Sequence, residues 1–102
     1  AVKIYIGYTT KTAFGSNTDW EPLSSLTEVY SAISLAPTAN QGWVEFTLTT
    51  PFTYNGSSNL IIAFDENTSG YHGSSDDFHC TSSSAGNSIY YYNDNTNPDP
   101  AS

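Results

Sequence analysis

The sequence predicts an all-β domain built as an antiparallel two-sheet sandwich. Three observations carry that expectation. Short stretches in which apolar and polar residues alternate recur along the chain, separated by loops rich in Gly, Ser, Asn and Asp. No stretch shows helical periodicity. Aromatic residues reach 15% of the chain, 8 of them Tyr, and large rings suit a pleated, half-buried surface. With 102 residues there is room for one core and not for two. Residues 1–97 read as the module and 98–102, with Pro98 and Pro100, as an exit linker.

Val2, Ile4 and Ile6 alternate with Lys3 and Tyr5, which predicts a first strand with one apolar and one wet face, ended by Gly7. The stretch from Thr9 to Ser25 is irregular, with turn chemistry at Gly15-Ser16-Asn17 and a ladder-blocking Pro22. Phe14, Trp20, Leu23 and Leu26 are too apolar for a free loop and are expected to pin it across one end of the core. Glu28, Tyr30 and Ala32 alternate with Val29, Ser31, Ile33 and Leu35 as a second strand, and Trp43 to Thr49 returns as a third with Val44, Phe46 and Leu48 inward.

Asn59-Leu60-Ile61-Ile62-Ala63-Phe64-Asp65 is the one apolar run without polar alternation. Too short for an independent helix, it predicts a central strand buried on both faces. Asn55-Gly56 just before it predicts a hairpin that folds Phe52-Thr53-Tyr54 back onto that strand. Phe78 to Cys80 reads as a short strand, and Ser88 to Tyr92 as the last.

Charge excludes several classes of partner. Ten acidic residues against Lys3 and Lys11 leave a net charge of -8, so nucleic acid, which is gripped by clustered Lys and Arg, is repelled. Anionic membrane surfaces are disfavoured for the same reason. No apolar stretch approaches the ~20 residues that cross a bilayer as a helix, so membrane insertion is not expected. The single Cys80 has no intramolecular partner, and burial as a small hydrophobe is its expected fate. The chain starts at Ala1 and enters a strand at once, without an initiator Met or a leader, which gives the expectation of a piece of something longer.

Catalysis finds little support, and the chain is read as not an enzyme. His72 and His79 are the only histidines, and no Gly-x-Ser-x-Gly elbow accompanies them. His79 and Cys80 are sequence neighbours that point to opposite faces of a strand, which defeats a shared zinc. Asp65, Glu66, Asp76 and Asp77 could place two carboxylates about 5 to 10 Å apart, as glycoside hydrolysis needs, but a chain this short has little wall for a cleft. Structural calcium fits the residue types better: Asp65, Asn67, Asp76 and Asp77 are hard oxygen donors in loops, and Asn93, Asp94 and Asn95 form a second group. Asn and Asp also favour turns without any metal. Asn55-Gly56-Ser57 and Asn67-Thr68-Ser69 match the glycosylation sequon, a match that Ser- and Asn-rich sequence produces by chance.

Surface aromatics give the best indication of binding. With Ile89 and Tyr91 inward, Tyr90 and Tyr92 project outward together with Trp43 or Tyr5, and Trp20 is a further candidate. Flat rings beside Asn, Asp and Ser form a stacking platform with hydrogen-bonding edges, suited to a glycan or another surface ligand. The bland alternative is a second apolar layer or a contact with a neighbouring domain.

Lys3 to Lys11, Thr18 to Leu23, Gly42-Trp43, Thr50 to Gly56, Asn59 to Ala63 and Ile89 to Tyr92 together resemble a module of secreted, multidomain Bacteroidetes surface proteins. In those proteins the module occurs beside fibronectin type III repeats and type IX secretion sorting domains. The resemblance spans nearly the whole chain. It implies a jelly-roll-like sandwich on the cell surface or outside the cell, used for adhesion or carbohydrate binding, and it carries over no catalytic residue. Modules of that kind have strands upstream of the position matching Ala1, so the resemblance also implies an incomplete N-terminal edge. An open edge is covered by something, and a strand from a neighbouring chain is one cover. A structural subunit of an extracellular filament, contacting copies of itself, is therefore the competing expectation.

Overall fold

The computed structural model describes residues 2–32, 43, 45–67, 82 and 86–90. Within them the chain forms one antiparallel sheet of three strands, β1 (Val2–Thr9), β2 (Thr27–Ala32) and β3 (Asn59–Glu66), in the order β2-β1-β3. The only helical element among the described residues is a single 3₁₀ turn, Leu23–Ser25, so the all-β expectation holds at the level of class. A second sheet is not among the described residues.

The expected central strand is at the edge of this sheet, and the expected first strand is at its centre. β1 pairs with β3 without a break from Val2 opposite Glu66 to Thr9 opposite Asn59, and with β2 on its other side. Burial follows the order. Val2, Ile4, Tyr5 and Gly7 of β1 are buried, on both faces of the strand, whereas β3 alternates between half-buried and exposed. The apolar run Leu60 to Phe64 therefore marks no doubly buried strand. Ile62 is 66% exposed, and the run's alternation is hidden in sequence because both of its faces carry apolar side chains.

One face of β1 is closed by the turn before β2. A Cβ placed on Gly7 would lie 2.7 Å from the Ser25 carbonyl oxygen and 2.7 Å from Leu26 Cδ2, so the chain at 25–26 sits directly on the Gly7 backbone. Gly7 permits this approach and does not end the strand, which runs on to Thr9. Tyr5, expected on the wet face, is buried. On the opposite face Ile4 lies in register with Tyr30 of β2 and Phe64 of β3. Phe46 crosses above that row, edge-on to Tyr30 at 5.4 Å and to Phe64 at 6.3 Å between ring centroids. Residues 45–48 keep the expected in-out alternation, with Phe46 and Leu48 half-buried and Glu45 and Thr47 exposed, but they form no ladder.

β2 carries a bulge. Ile4 pairs with Tyr30 and Tyr5 with Glu28, so Val29 is the extra residue on the β2 side. Val29 is fully buried, and its carbonyl turns to the neighbouring segment. It accepts from the Thr49 N–H at 2.9 Å, the Thr50 N–H at 3.2 Å and Thr49 Oγ1 at 3.1 Å. The bulge thus anchors the chain that returns across the sheet towards β3.

The expected hairpin at Asn55-Gly56 takes another form. Gly56 has φ +79°, as a turn requires, but residues 52–54 do not pair with β3. Their side chains reach β1 instead. The Tyr8 ring stands 5.2 Å from Phe52 and 6.3 Å from Tyr54, and the Tyr8 hydroxyl donates to the Thr53 carbonyl. The turn itself is held by Asn55, whose Oδ1 accepts from the N–H groups of Ser57 and Ser58, each at 2.9 Å.

Candidate functional site

The exposed rings proposed from sequence occupy different supports. Trp43 is fully exposed and Tyr90 is 80% exposed, next to half-buried Ile89. Trp20 is about half exposed at 48%. Tyr92 lies outside the described residues, as do Tyr91, His72, His79 and Cys80.

Trp20 is carried by the loop between β1 and β2, which is held by polar contacts. Lys11 Nζ bonds Asp19 Oδ1 at 2.5 Å and the Asp19 carbonyl at 3.3 Å, and stands 3.8 Å from Glu21 Oε1. Asp19 Oδ2 accepts from the Gly15 N–H at 2.8 Å, and Thr9 Oγ1 donates to Glu21 Oε1 at 2.5 Å. The Gly15 N–H and then the Lys11 ammonium hold the Asp19 carboxyl below its ordinary value; the Asp19 bond, ahead of the Glu21 charge, raises Lys11. These residues were missed from sequence, because nothing in the spacing of Lys11, Asp19 and Glu21 fixes how an irregular loop closes.

Two further bonds tie this loop to the rest. Asn59 Nδ2 at the start of β3 donates to the Lys11 carbonyl at 2.8 Å, and the Phe14 N–H donates to the Gly86 carbonyl at 2.7 Å. Gly86 has φ +85°, and a Cβ there would lie 2.9 Å from the Phe14 carbonyl oxygen. The Trp20 loop and the segment bearing Tyr90 are thus joined through Phe14 and Gly86. Trp43 has no ring contact with Trp20.

A second exposed surface was not foreseen. Leu60, Ile62 and Phe64 share one face of β3 and are 43%, 66% and 40% exposed. Register places Tyr8 beside Leu60, and exposed Tyr54 leans on Tyr8, so the stripe runs from aliphatic to aromatic along one edge of the sheet. The signal in the sequence was the shared parity of positions 60, 62 and 64 with Tyr8 across the ladder.

Of the four calcium-ligand candidates, Asp65 near the end of β3 and Asn67 just after it stand together, with Asn67 Nδ2 donating to Asp65 Oδ2 at 2.6 Å. Asp76 and Asp77 lie outside the described residues. An amide nitrogen facing the carboxylate satisfies it without a cation, and no group of three His, Cys, Asp or Glu side chains converges among the described residues.

Both basic side chains of the protein are engaged by carboxylates, Lys3 with Glu28 at 3.4 Å and Lys11 with Asp19. Phosphate recognition would have to break these pairs. No helix among the described residues is long and apolar enough to cross a membrane.

Comparison with protein-family models matches no family, and comparisons with curated proteins and with solved structures give no significant match.

Proposed function

We propose that the chain is a non-catalytic extracellular or cell-surface module that contributes adhesion or carbohydrate binding to a larger secreted protein. The observation that carries this reading is the exposure of Trp43 and Tyr90, two large amphipathic rings presented to solvent on an acidic, Asn- and Ser-rich chain. Such rings supply flat apolar contact with a polar edge, the combination that sugar faces and hydroxyls require. Resemblance to the secreted Bacteroidetes surface module supports the same role and a jelly-roll-like completion of the sheet into a two-layer sandwich. The test is retention on a panel of immobilised polysaccharides. Trp43→Ala and Tyr90→Ala are expected to lose retention with an unchanged far-UV spectrum. Equal retention of both variants and the unsubstituted chain would reject the ring platform.

A second reading, a structural subunit of an extracellular assembly, is favoured by a separate observation. The Leu60, Ile62 and Phe64 side chains, on one face of β3, are exposed. An exposed apolar patch on a sheet face marks a contact for a neighbouring chain. Size measurement in dilute solution separates the readings, since a stable monomer at all concentrations counts against the subunit.

A further inference from the structure

The turn at Asn55 carries a reactive arrangement that neither ring binding nor assembly uses. Asn55 is the only asparagine of the chain followed by glycine. Asn55, Gly56 and Ser57 are exposed, and nothing lies within 4 Å of the position a Gly56 Cβ would take. No acceptor among the described residues engages the Gly56 N–H. The Asn55 amide is held by donors on its oxygen, the Ser57 N–H at 2.9 Å, the Ser58 N–H at 2.9 Å and Ser57 Oγ at 3.4 Å. Its nitrogen donates to Ser58 Oγ at 2.9 Å.

We propose that this turn is a self-modification site at which Asn55 converts to aspartate and isoaspartate without an enzyme. Hydroxide removes the Gly56 N–H proton, and the nitrogen attacks Asn55 Cγ. The carbonyl electron pair moves onto Oδ1, where the Ser57 and Ser58 donors already point. Donors fixed at the atom that gains charge are the arrangement that lowers such barriers, because they need no reorganisation as the charge develops. The oxyanion collapses, the Cγ–Nδ2 bond breaks, and Nδ2 leaves as ammonia after taking a proton from water, with Ser58 Oγ beside it. Water then opens the five-membered imide at either carbonyl, giving aspartate or isoaspartate. Net, one water is consumed and one ammonia released, with no oxidant or reductant.

The missing Cβ matters twice. It leaves the Gly56 nitrogen unshielded, and it allows the positive φ of the turn. Asn59, followed by Leu60 and with its Nδ2 bonded to the Lys11 carbonyl, is an internal control in the same stretch. Isoaspartate would route the backbone through the former side chain and add a methylene to a turn that leads directly into β3. The Asn55-centred acceptor of Ser57 and Ser58 would be lost beside the Tyr54 hydroxyl that donates to the Ser58 carbonyl at 2.7 Å. A negative charge would be added to a chain already at -8.

The experiment ages the full folded chain in mildly alkaline buffer and follows it by chymotryptic peptide mapping and isoaspartate methyltransferase labelling. A synthetic peptide of residues 52–60 is aged in parallel. Conversion is expected at Asn55 and not at Asn59, at a rate in the folded chain equal to or above that of the peptide. Ser58→Ala keeps both N–H donors on Oδ1 and is expected to leave the folded chain at or above the rate of the peptide, and Gly56→Ala is expected to slow both. Slower conversion in the folded chain than in the peptide would show that the turn protects Asn55, and would overturn the proposal.

Discussion

Val29 and Thr49 meet at one oxygen. The Val29 carbonyl, released from the ladder by the bulge, takes the Thr49 N–H at 2.9 Å and the Thr49 hydroxyl at 3.1 Å. The bonds join the most buried point of β2 to the strandless segment that crosses the sheet. Phe46, three residues before Thr49, is thereby held over Ile4, Tyr30 and Phe64. The bulge fixes what covers the sheet.

Thr49→Val keeps the branched shape and removes only the hydroxyl. Two N–H donors remain on the Val29 carbonyl, so no buried acceptor is orphaned, and the expected cost is about 0.5–1 kcal/mol. In urea the midpoint should fall with an unchanged slope. An unchanged midpoint would mean that the two amides alone satisfy the carbonyl.

Gly7→Ala tests the opposite face. The new methyl would meet the Leu26 side chain, which can rotate, and the Ser25 carbonyl, which is backbone and cannot retreat without moving the turn at 23–26. Overpacking of this kind costs about 1–3 kcal/mol, read as a lowered thermal midpoint. Full stability in the variant would place the 25–26 turn away from Gly7 in solution.

These two sites show where the sequence was legible and where it was not. Alternation at Val2, Ile4 and Ile6 located β1, and the apolar run located β3 to within a residue, because strand existence is written in local pattern. Strand order is not local. Which strand takes the centre depends on what covers each face, and the cover of β1 comes from Leu26 on one side and Phe46 on the other, both distant in sequence. The Val29 bulge was invisible for a related reason: an extra residue shifts the phase of the alternation without changing its composition. Of the candidate site, the exposure of Trp43 and Tyr90 agrees with the alternation at 43–48 and 88–90. The Lys11 network escaped because loop closure has no period.

The loop bearing Trp20 should open in acid. Asp19 is held below its ordinary value by the Gly15 N–H and Lys11, so its contribution is present above the unfolded value and is lost as pH falls through the lower, folded one, in the range below about pH 4. Lys11 is raised, so its contribution holds below its unfolded value near 10.5 and is lost only in stronger alkali. Trp20 fluorescence in a Trp43→Phe background should therefore change below about pH 4 and be flat through neutrality. Asp19→Asn should remove the acid transition, and its persistence would assign the change to another carboxylate.

Ile62→Lys separates assembly from ring binding. Ile62 lies opposite Ile6 in the ladder and is 66% exposed, so the folded monomer should lose no more than about 1 kcal/mol, the scale of one cross-strand pair. A lysine on an edge strand is also a device by which sheets avoid pairing with one another. If copies of the chain meet along β3, light scattering should show oligomers of the unsubstituted chain and monomers of the variant. Electrostatics cannot mimic that result. The substitution brings the net charge from -8 to -7, which weakens repulsion between copies and by itself favours association. Loss of oligomers would thus come from the apolar stripe, whereas monomers in both samples would leave Leu60, Ile62 and Phe64 without a role in self-contact and would favour the exposed rings as the working surface.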